Sequence, residues 1–572
     1  MTDPAALTPR TAPRSLPPTP RRWSIALLVL AFLLPELAPA AVAASRPLPQ
    51  AVAAGPAAIA GKAKTKAKKK PRKVPRRRVA HRVVARKTVV LAPKVHKAAA
   101  PAAADTPEPD PETDVVEDLP GAVGAPQGPA TPAELTQILR GAPGRPLAVA
   151  LIVDAATGEV VLDLDAGKTV YPASVAKLFT TAAILRSWPA DKELVTELRA
   201  SPTVQGRAEQ VAVVGSGDPT LKVQDLVVFA EALKKQGVAR IGRLIVDGTV
   251  FDDRSPRGFD EKQTDAAFRA PVGGFQVEGS TVAVVVRPGA QVGDPPRVDV
   301  TPACGKAVVI RNEARTVKGR ANGASVGMHS AGRQTEVVIK GAVGVNGRLV
   351  GSGRRRVADA TYFAAGVWRA VLEERGIAVD GETVFTKASA ELPVVATRKS
   401  PTLQKIVTVT NKTSHNGYAE TLFKLTAVAH GHAPATAETA EASARKALDG
   451  LGIRWEAVKL GNGSGLYHAN QVTCRAVVDL LRGMAKDSTG ANYRQSMAIG
   501  GVDGTLRGRL HGAMKGRVQA KTGTLDDVVG LAGYLQAPDR NYVFAMFFNR
   551  VKGSAGPLRA TQDRVLRRLS GQ

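Results

Sequence analysis

Apolar residues run unbroken through residues 147–153, stop at the polar turn 154–158 and resume at 159–164, a pattern that predicts a β-hairpin. Residues 132–139 ahead of it predict a short helix. After Tyr171-Pro172, the positions Leu178, Phe179, Ala182, Ala183 and Leu185 recur at helical spacing, which predicts a helix opening near Ser174. From about Asp191 to Thr397 the pattern shifts to short β-type runs (211–214, 244–246, 281–286, 307–310, 336–338) separated by Gly and Pro turns. One amphipathic helix, residues 223–236, stands among them, and residues 363–375 read as a returning helix. Helical spacing then returns over 403–408, 418–429, 435–450 and 472–486. Strand-like runs follow at 518–524, 528–535 and 542–549, with a last helix from Pro557. Residues 460–466 and 498–506 read as a glycine-rich turn and a loop.

This pattern divides the chain. Residues 132–190 and 398–572 are expected to form the two halves of one domain, with one or two small β-rich domains inserted at 191–397. Ahead of them, Arg21-Arg22, the apolar run 25–34 and Ala41-Val42-Ala43-Ala44 read as a secretory signal peptide, residues 1–43, cleaved after Ala43. A retained membrane anchor is disfavoured because the run is short of the roughly 20 residues of a span and is interrupted by Pro35 and Glu36. Residues 44–131 read as a disordered tether. Between Lys62 and Lys97 it holds 16 Lys or Arg and no acid, and an acidic, Pro-rich piece follows at 105–118.

Length and charge sharpen this. A chain of 572 residues is too long for one core. The formal net charge of +29 is uneven: residues 1–130 hold 21 Lys+Arg against 9 Asp+Glu, which leaves +17 on the rest. Such a balance suits an anionic wall polymer or lipid surface. Nucleic acid is not expected as a partner, because residues 47–130 hold no aromatic side chain for stacking and a signal peptide exports the chain. Cys304 and Cys474 fit no metal spacing and read as buried thiols in preference to a disulfide.

Ser174 and Lys177 lie three residues apart, on one face of the predicted helix. A serine becomes a nucleophile when a base takes its proton, and a lysine can be that base. Alone, the spacing equally describes an N-cap followed by a surface lysine. Two further elements follow in order: Ser414-His415-Asn416 in a loop between helices, and Lys521-Thr522-Gly523-Thr524 on a strand. Together the three form the type of set found in β-lactamases and penicillin-binding proteins. Ser414 and Asn416 alternate about His415, so both can face inward. There Ser414 can relay a proton, and Asn416 can hold Lys177 and a substrate peptide. Lys521, on an edge strand, adds a second cation to keep Lys177 neutral and attract a carboxylate. Gly523 lets a peptide lie along the strand. Backbone N–H groups of Ser174 and Thr524 are the expected oxyanion hole.

With these motifs, Gly217-Asp218-Pro219-Thr220-Leu221, Gly463-Ser464-Gly465-Leu466 and Gly501-Val502-Asp503-Gly504-Thr505-Leu506 resemble the D-Ala-D-Ala carboxypeptidase/endopeptidase family of low-molecular-mass, class C penicillin-binding proteins. So does the long insertion between the first two motifs. The resemblance implies an α+β penicilloyl-serine transferase fold, an antiparallel sheet flanked by helices and split by inserted β-rich domains. The sheet would be the N-terminal hairpin plus three C-terminal strands. The implied chemistry is acylation of Ser174 by peptidoglycan stem peptides and then hydrolysis, with β-lactams as acylating inhibitors and no metal or other cofactor.

Two positions depart from the family. His415 stands where Asp or Asn is frequent, and Asn462 stands where Asp often precedes Gly-Ser-Gly-Leu, which weakens a structural carboxylate role there. Asp218 and Asp503 read as turn caps, Glu420 as a first-turn helix acid, and His468 and His511 as solvent or core residues. The competing functions are a β-lactamase or esterase, disfavoured by the insertion, and a catalytically silent wall-binding protein working through its basic tether.

Overall fold

A computed structural model of the protein describes residues 128–259, 261–262 and 264–572. The expected signal peptide and nearly all of the expected tether lie outside the described residues. Helix α1 (Pro132–Arg140) opens with a reciprocal cap between Thr131 and Glu134. It leads into the hairpin β1 (Leu147–Asp154) and β2 (Val160–Leu164). A 3-10 turn, Ala173–Ala176, precedes α2 (Lys177–Ser187).

The chain then leaves this sheet and returns with helices α3 (Leu403–Lys412), α4 (Asn416–Ala429), α5 (Ala437–Ala447) and α6 (Cys474–Lys486). Strands β3 (Ala498–Ile499), β4 (Val518–Leu525), β5 (Val528–Gln536) and β6 (Asn541–Asn549) follow, and α7 (Gly556–Leu569) ends the chain.

The hairpin and the late strands form one antiparallel sheet in the order β2-β1-β6-β5-β4-β3. It holds one strand more than the pattern predicts, because β3 is only two residues long and gives no alternation to read. β1 and β6 pair along their whole lengths, from Leu147 opposite Asn549 to Asp154 opposite Tyr542. Both faces are buried. Val149, Leu151 and Val153 pack with α2, α4, α5 and α6, whereas Ala150 and Ile152 pack with α1 and α7. Side chains alternate along a strand, so one apolar run serves two cores. Residues 177–185 of α2 are all buried, as befits a helix enclosed on every side.

Residues between α2 and α3 build a separate core. Its largest sheet includes Val195–Ala200, Arg207–Val214, Arg240–Asp247 and Val394–Lys399. The middle two strands are parallel, joined by a helix at Val223–Lys235. The run-and-helix order in this stretch is therefore a β-helix-β crossover, which the reading as β-rich did not distinguish. Two three-stranded sheets follow. One is made of Thr281–Arg287, Arg297–Thr301 and Val350–Arg356, the other of Val308–Asn312, Ser325–Ala331 and Gln334–Lys340.

Candidate active site

The end of β6 fixes the approach to Ser174. The Asn549 side chain accepts from the Tyr171 N–H at 2.8 Å and donates to the Tyr171 carbonyl at 3.1 Å. Ala173 then adopts φ 47°, a left-handed conformation that costs a non-glycine residue about 1 kcal/mol or more. Ser174 follows in the 3-10 turn, and the α-helix itself starts only at Lys177. The nucleophile candidate thus sits one tight turn ahead of the helix that the spacing predicts. Two glycines hold that turn. A β-carbon on Gly523 would lie 2.7 Å from the Pro172 carbonyl oxygen and 3.1 Å from the Ser174 nitrogen, and Gly465 meets the turn from the other side. Gly523 therefore lets β4 press against the Ser174 backbone, a closer role than the expected space for a peptide.

Lys177 is fully buried. Its Nζ lies 2.8 Å from Ser174 Oγ, 2.7 Å from Asn416 Oδ1 and 2.8 Å from the Ser464 carbonyl oxygen. The last two atoms only accept, so they orient two N–H bonds of the amine. The third direction faces the Ser174 hydroxyl. An ammonium donates there; a neutral amine turns its lone pair there and accepts the hydroxyl proton. Asn416 also donates from Nδ2 to the Phe268 carbonyl at 3.1 Å, which ties it to the inserted region.

Ser414 sits at φ 60° between α3 and α4. Lys521, also fully buried, donates to Ser414 Oγ at 2.9 Å and to the Thr522 carbonyl at 2.8 Å. His415 turns away to cap α4, accepting from the Tyr418 N–H at 3.2 Å with its ring against Tyr418. Thr522 donates to the Thr505 hydroxyl at 2.8 Å, and Thr524 accepts from Arg559 at 3.1 Å. Strand β3 pairs with β4 only at Gln519 and Ala520, so β4 is a sheet edge from Lys521 onward.

Several residues outside the three motifs depart from expectation. Glu420 is not a first-turn acid. It is buried, with its carboxylate taking the N–H groups of Gly463 at 3.0 Å and Ser464 at 2.8 Å. Asn462 is structural as an amide: Oδ1 accepts from Gly465, and Nδ2 donates to the Arg257 and Leu466 carbonyls. A carboxylate there would lack the two donors. His468 bridges Glu261 at 3.2 Å and Asp527 at 3.0 Å and packs at a tilt against the Tyr171 ring; both acids come from distant segments. Asp218 caps its turn through Thr220 and pairs with Arg398, and Asp503 does the same through Ile499 and Lys412. His511 is exposed. Cys304 and Cys474 are both buried free thiols.

The site therefore joins a hydroxyl to an amine that a carboxamide also holds, and a second hydroxyl to a second amine, beside an open strand edge. Known proteins are similar to this chain in sequence and in fold. The D-Ala-D-Ala carboxypeptidase 3 (S13) family profile matches residues 133–569. The chain belongs to that family. A D-alanyl-D-alanine carboxypeptidase of an Actinomadura species is 32% identical over 444 residues, 73% of this chain and 80% of that one. The D-alanyl-D-alanine carboxypeptidase DacB of Haemophilus influenzae is 25% identical over 407 residues, 68% of this chain and 83% of that one. The solved penicillin binding protein 4 (dacB) of Haemophilus influenzae superposes with a TM-score of 0.67 at 21% identity, over 76% of this chain and 99% of that one. The S13 chain thus has the expected α+β penicilloyl-serine transferase fold.

Proposed function

We propose that the protein is a serine-type D-Ala-D-Ala carboxypeptidase and/or D,D-endopeptidase that works on peptidoglycan stem peptides through an acyl-enzyme on Ser174. The contact of Lys177 Nζ with Ser174 Oγ, held from behind by Asn416 and Ser464, carries this reading. Neutral Lys177 takes the Ser174 proton as Oγ attacks the carbonyl carbon of the penultimate D-Ala. The backbone N–H groups of Ser174 and Thr524 receive the oxyanion. As the C–N bond breaks, the proton held by Lys177 passes through the Ser414 hydroxyl, which Lys521 orients, to the departing amine, and Lys177 is neutral again. The substrate backbone lies along the edge at Thr522, Gly523 and Thr524, with its terminal carboxylate toward Lys521 and its amide against Asn416. Water then gives a proton to the neutral Lys177 as its oxygen bonds the acyl carbon, and Ser174 Oγ leaves and takes that proton back.

β-Lactams mimic the scissile bond and acylate the same hydroxyl; the Haemophilus influenzae protein of this fold has been solved with a novel β-lactam bound. Residues 132–190 and 398–572 are assigned to the catalytic domain and 191–397 to the insertion. The protein acts in the cell envelope after export on its signal peptide, in the periplasm, with the basic tether against an anionic wall or membrane surface. Among the described residues no helix is long and apolar enough to cross a membrane.

A fluorescent penicillin should label the folded protein, and Ser174→Ala should abolish the label. Unlabelled wild type would overturn the reading. With purified sacculi, released D-Ala reports the carboxypeptidase and loss of cross-linked dimers the endopeptidase. Rapid turnover of the penicilloyl adduct would point to a β-lactamase instead.

A further inference from the structure

Helix α4 carries Asn416 and Glu420 four residues apart, so both lie on one face. Asn416 takes Lys177 directly at 2.7 Å. Glu420, one turn deeper and 3% exposed, grips the turn that also reaches Lys177. Its Oε2 accepts from the Gly463 N–H and its Oε1 from the Ser464 N–H, and the carbonyl of that same Ser464 accepts from Lys177 at 2.8 Å. The turn has no slack: a β-carbon on Gly463 would lie 2.5 Å from the Ala419 carbonyl oxygen.

The surrounding charges are committed elsewhere. A cavity of about 50 Å³ beside Glu420 is lined by Asp252, Arg254, Arg257, Lys424, Glu438 and Asn462. Lys424 pairs with Asp252, and Arg257 with Glu438 and Glu441, while Arg254 lies 4.0 Å from Asp252. Burial pushes the Glu420 carboxyl above its ordinary range; the Ser464 and Gly463 donors and the charge of Lys177 oppose this. A carboxylate that takes two backbone donors on its two oxygens is arranged for its ionised form.

We infer that Glu420 is a positioning residue for the Lys177 base: it fixes the Gly463–Ser464 turn so that the Ser464 carbonyl aims the amine at Ser174, and its buried negative charge favours the ammonium formed when Ser174 is deprotonated. The proton moves from Ser174 Oγ to Lys177 Nζ as the Oγ electron pair forms the new bond to carbon. Glu420 receives no proton and touches no substrate atom. This inference rests on Lys177 being the base.

The test is the second-order rate of Ser174 acylation by a fluorescent penicillin as a function of pH, on the whole protein. A carboxylate behind Lys177 favours its protonated form, so removing the charge should let Lys177 lose its proton at lower pH. Glu420→Gln is expected to slow acylation about tenfold or more and to move the acidic limb of the rate profile down by about one pH unit. A wild-type rate, or a uniform drop with the limb unmoved, overturns the inference. If Glu420→Gln does not fold, Glu420→Asp decides: it keeps the charge and withdraws it by one methylene. It should slow acylation while leaving the limb within about 0.3 pH units of wild type, and a wild-type rate again overturns the inference. Lys177→Ala separates the two claims, because wild-type acylation there defeats the base reading whatever Glu420 does.

Discussion

Gly465 approaches Ala173 so closely that a β-carbon on it would sit 1.9 Å from the Ala173 carbonyl oxygen. Gly465 itself has φ +76°, and Ala173 has φ 47°. Two unusual backbone conformations thus meet directly behind Ser174. Gly465→Ala should combine a backbone clash with left-handed strain. It is expected to lower the urea midpoint by the equivalent of about 3 kcal/mol, and a midpoint within error of wild type would show that the turn yields freely.

Gly523→Ala addresses the opposite wall. The new methyl group would press on Pro172 and Ser174, moving β4 and the nucleophile turn apart by a few tenths of an ångström. Acylation by penicillin should fall about 100-fold with the fold retained by circular dichroism. Undiminished labelling would mean that the strand edge and Ser174 are not geometrically coupled.

The thiols give a test of packing. Burial pushes the Cys304 thiol up to about 12 and raises Cys474 as well. The thiolate is the nucleophile in alkylation, so both should resist it at pH 8 in the native protein and react once urea unfolds the chain. Mass spectrometry after iodoacetamide should find no adduct before unfolding and two after.

Asp487 ties α2 to the segment after α6. Burial raises its carboxyl, but the Thr489 N–H and hydroxyl and the paired Arg186 outweigh this and hold it below the usual 3.8. A depressed folded value means that its stabilisation is present above the ordinary aspartate range and is lost as pH falls through the lower value. Asp487→Asn should cost about 1 kcal/mol at pH 6, and the gap from wild type should close between about pH 4 and pH 2. A gap that is constant with pH would assign the loss to packing.

What the sequence made legible was the chemistry that residue types carry. Ser174, Lys177, Ser414, Asn416 and Lys521 are distant in the chain, yet each motif names a group that acyl transfer needs. The hairpin and late strands were legible because their apolar runs are long. Ser464 was not, since it reaches Lys177 through a carbonyl that every residue has. Glu420 resembles any helix acid until the Gly463–Ser464 turn is folded onto it. His468 gains its two carboxylates only when the inserted region and the end of β4 converge. β3 is too short for a period.

The pairing of β1 with β6 also sets a schedule. The strand leading to Ser174 is synthesised hundreds of residues before its neighbour, and Leu147 finds its partner only when Asn549 has been made. Contacts so remote in sequence form late and slowly. A chain interrupted anywhere before β6 lacks a strand at the middle of the sheet, along with the Asn549 clamp on Tyr171. Such a fragment lacks the contacts that hold the turn before Ser174, so a copy that stops short of β6 is expected to be inactive.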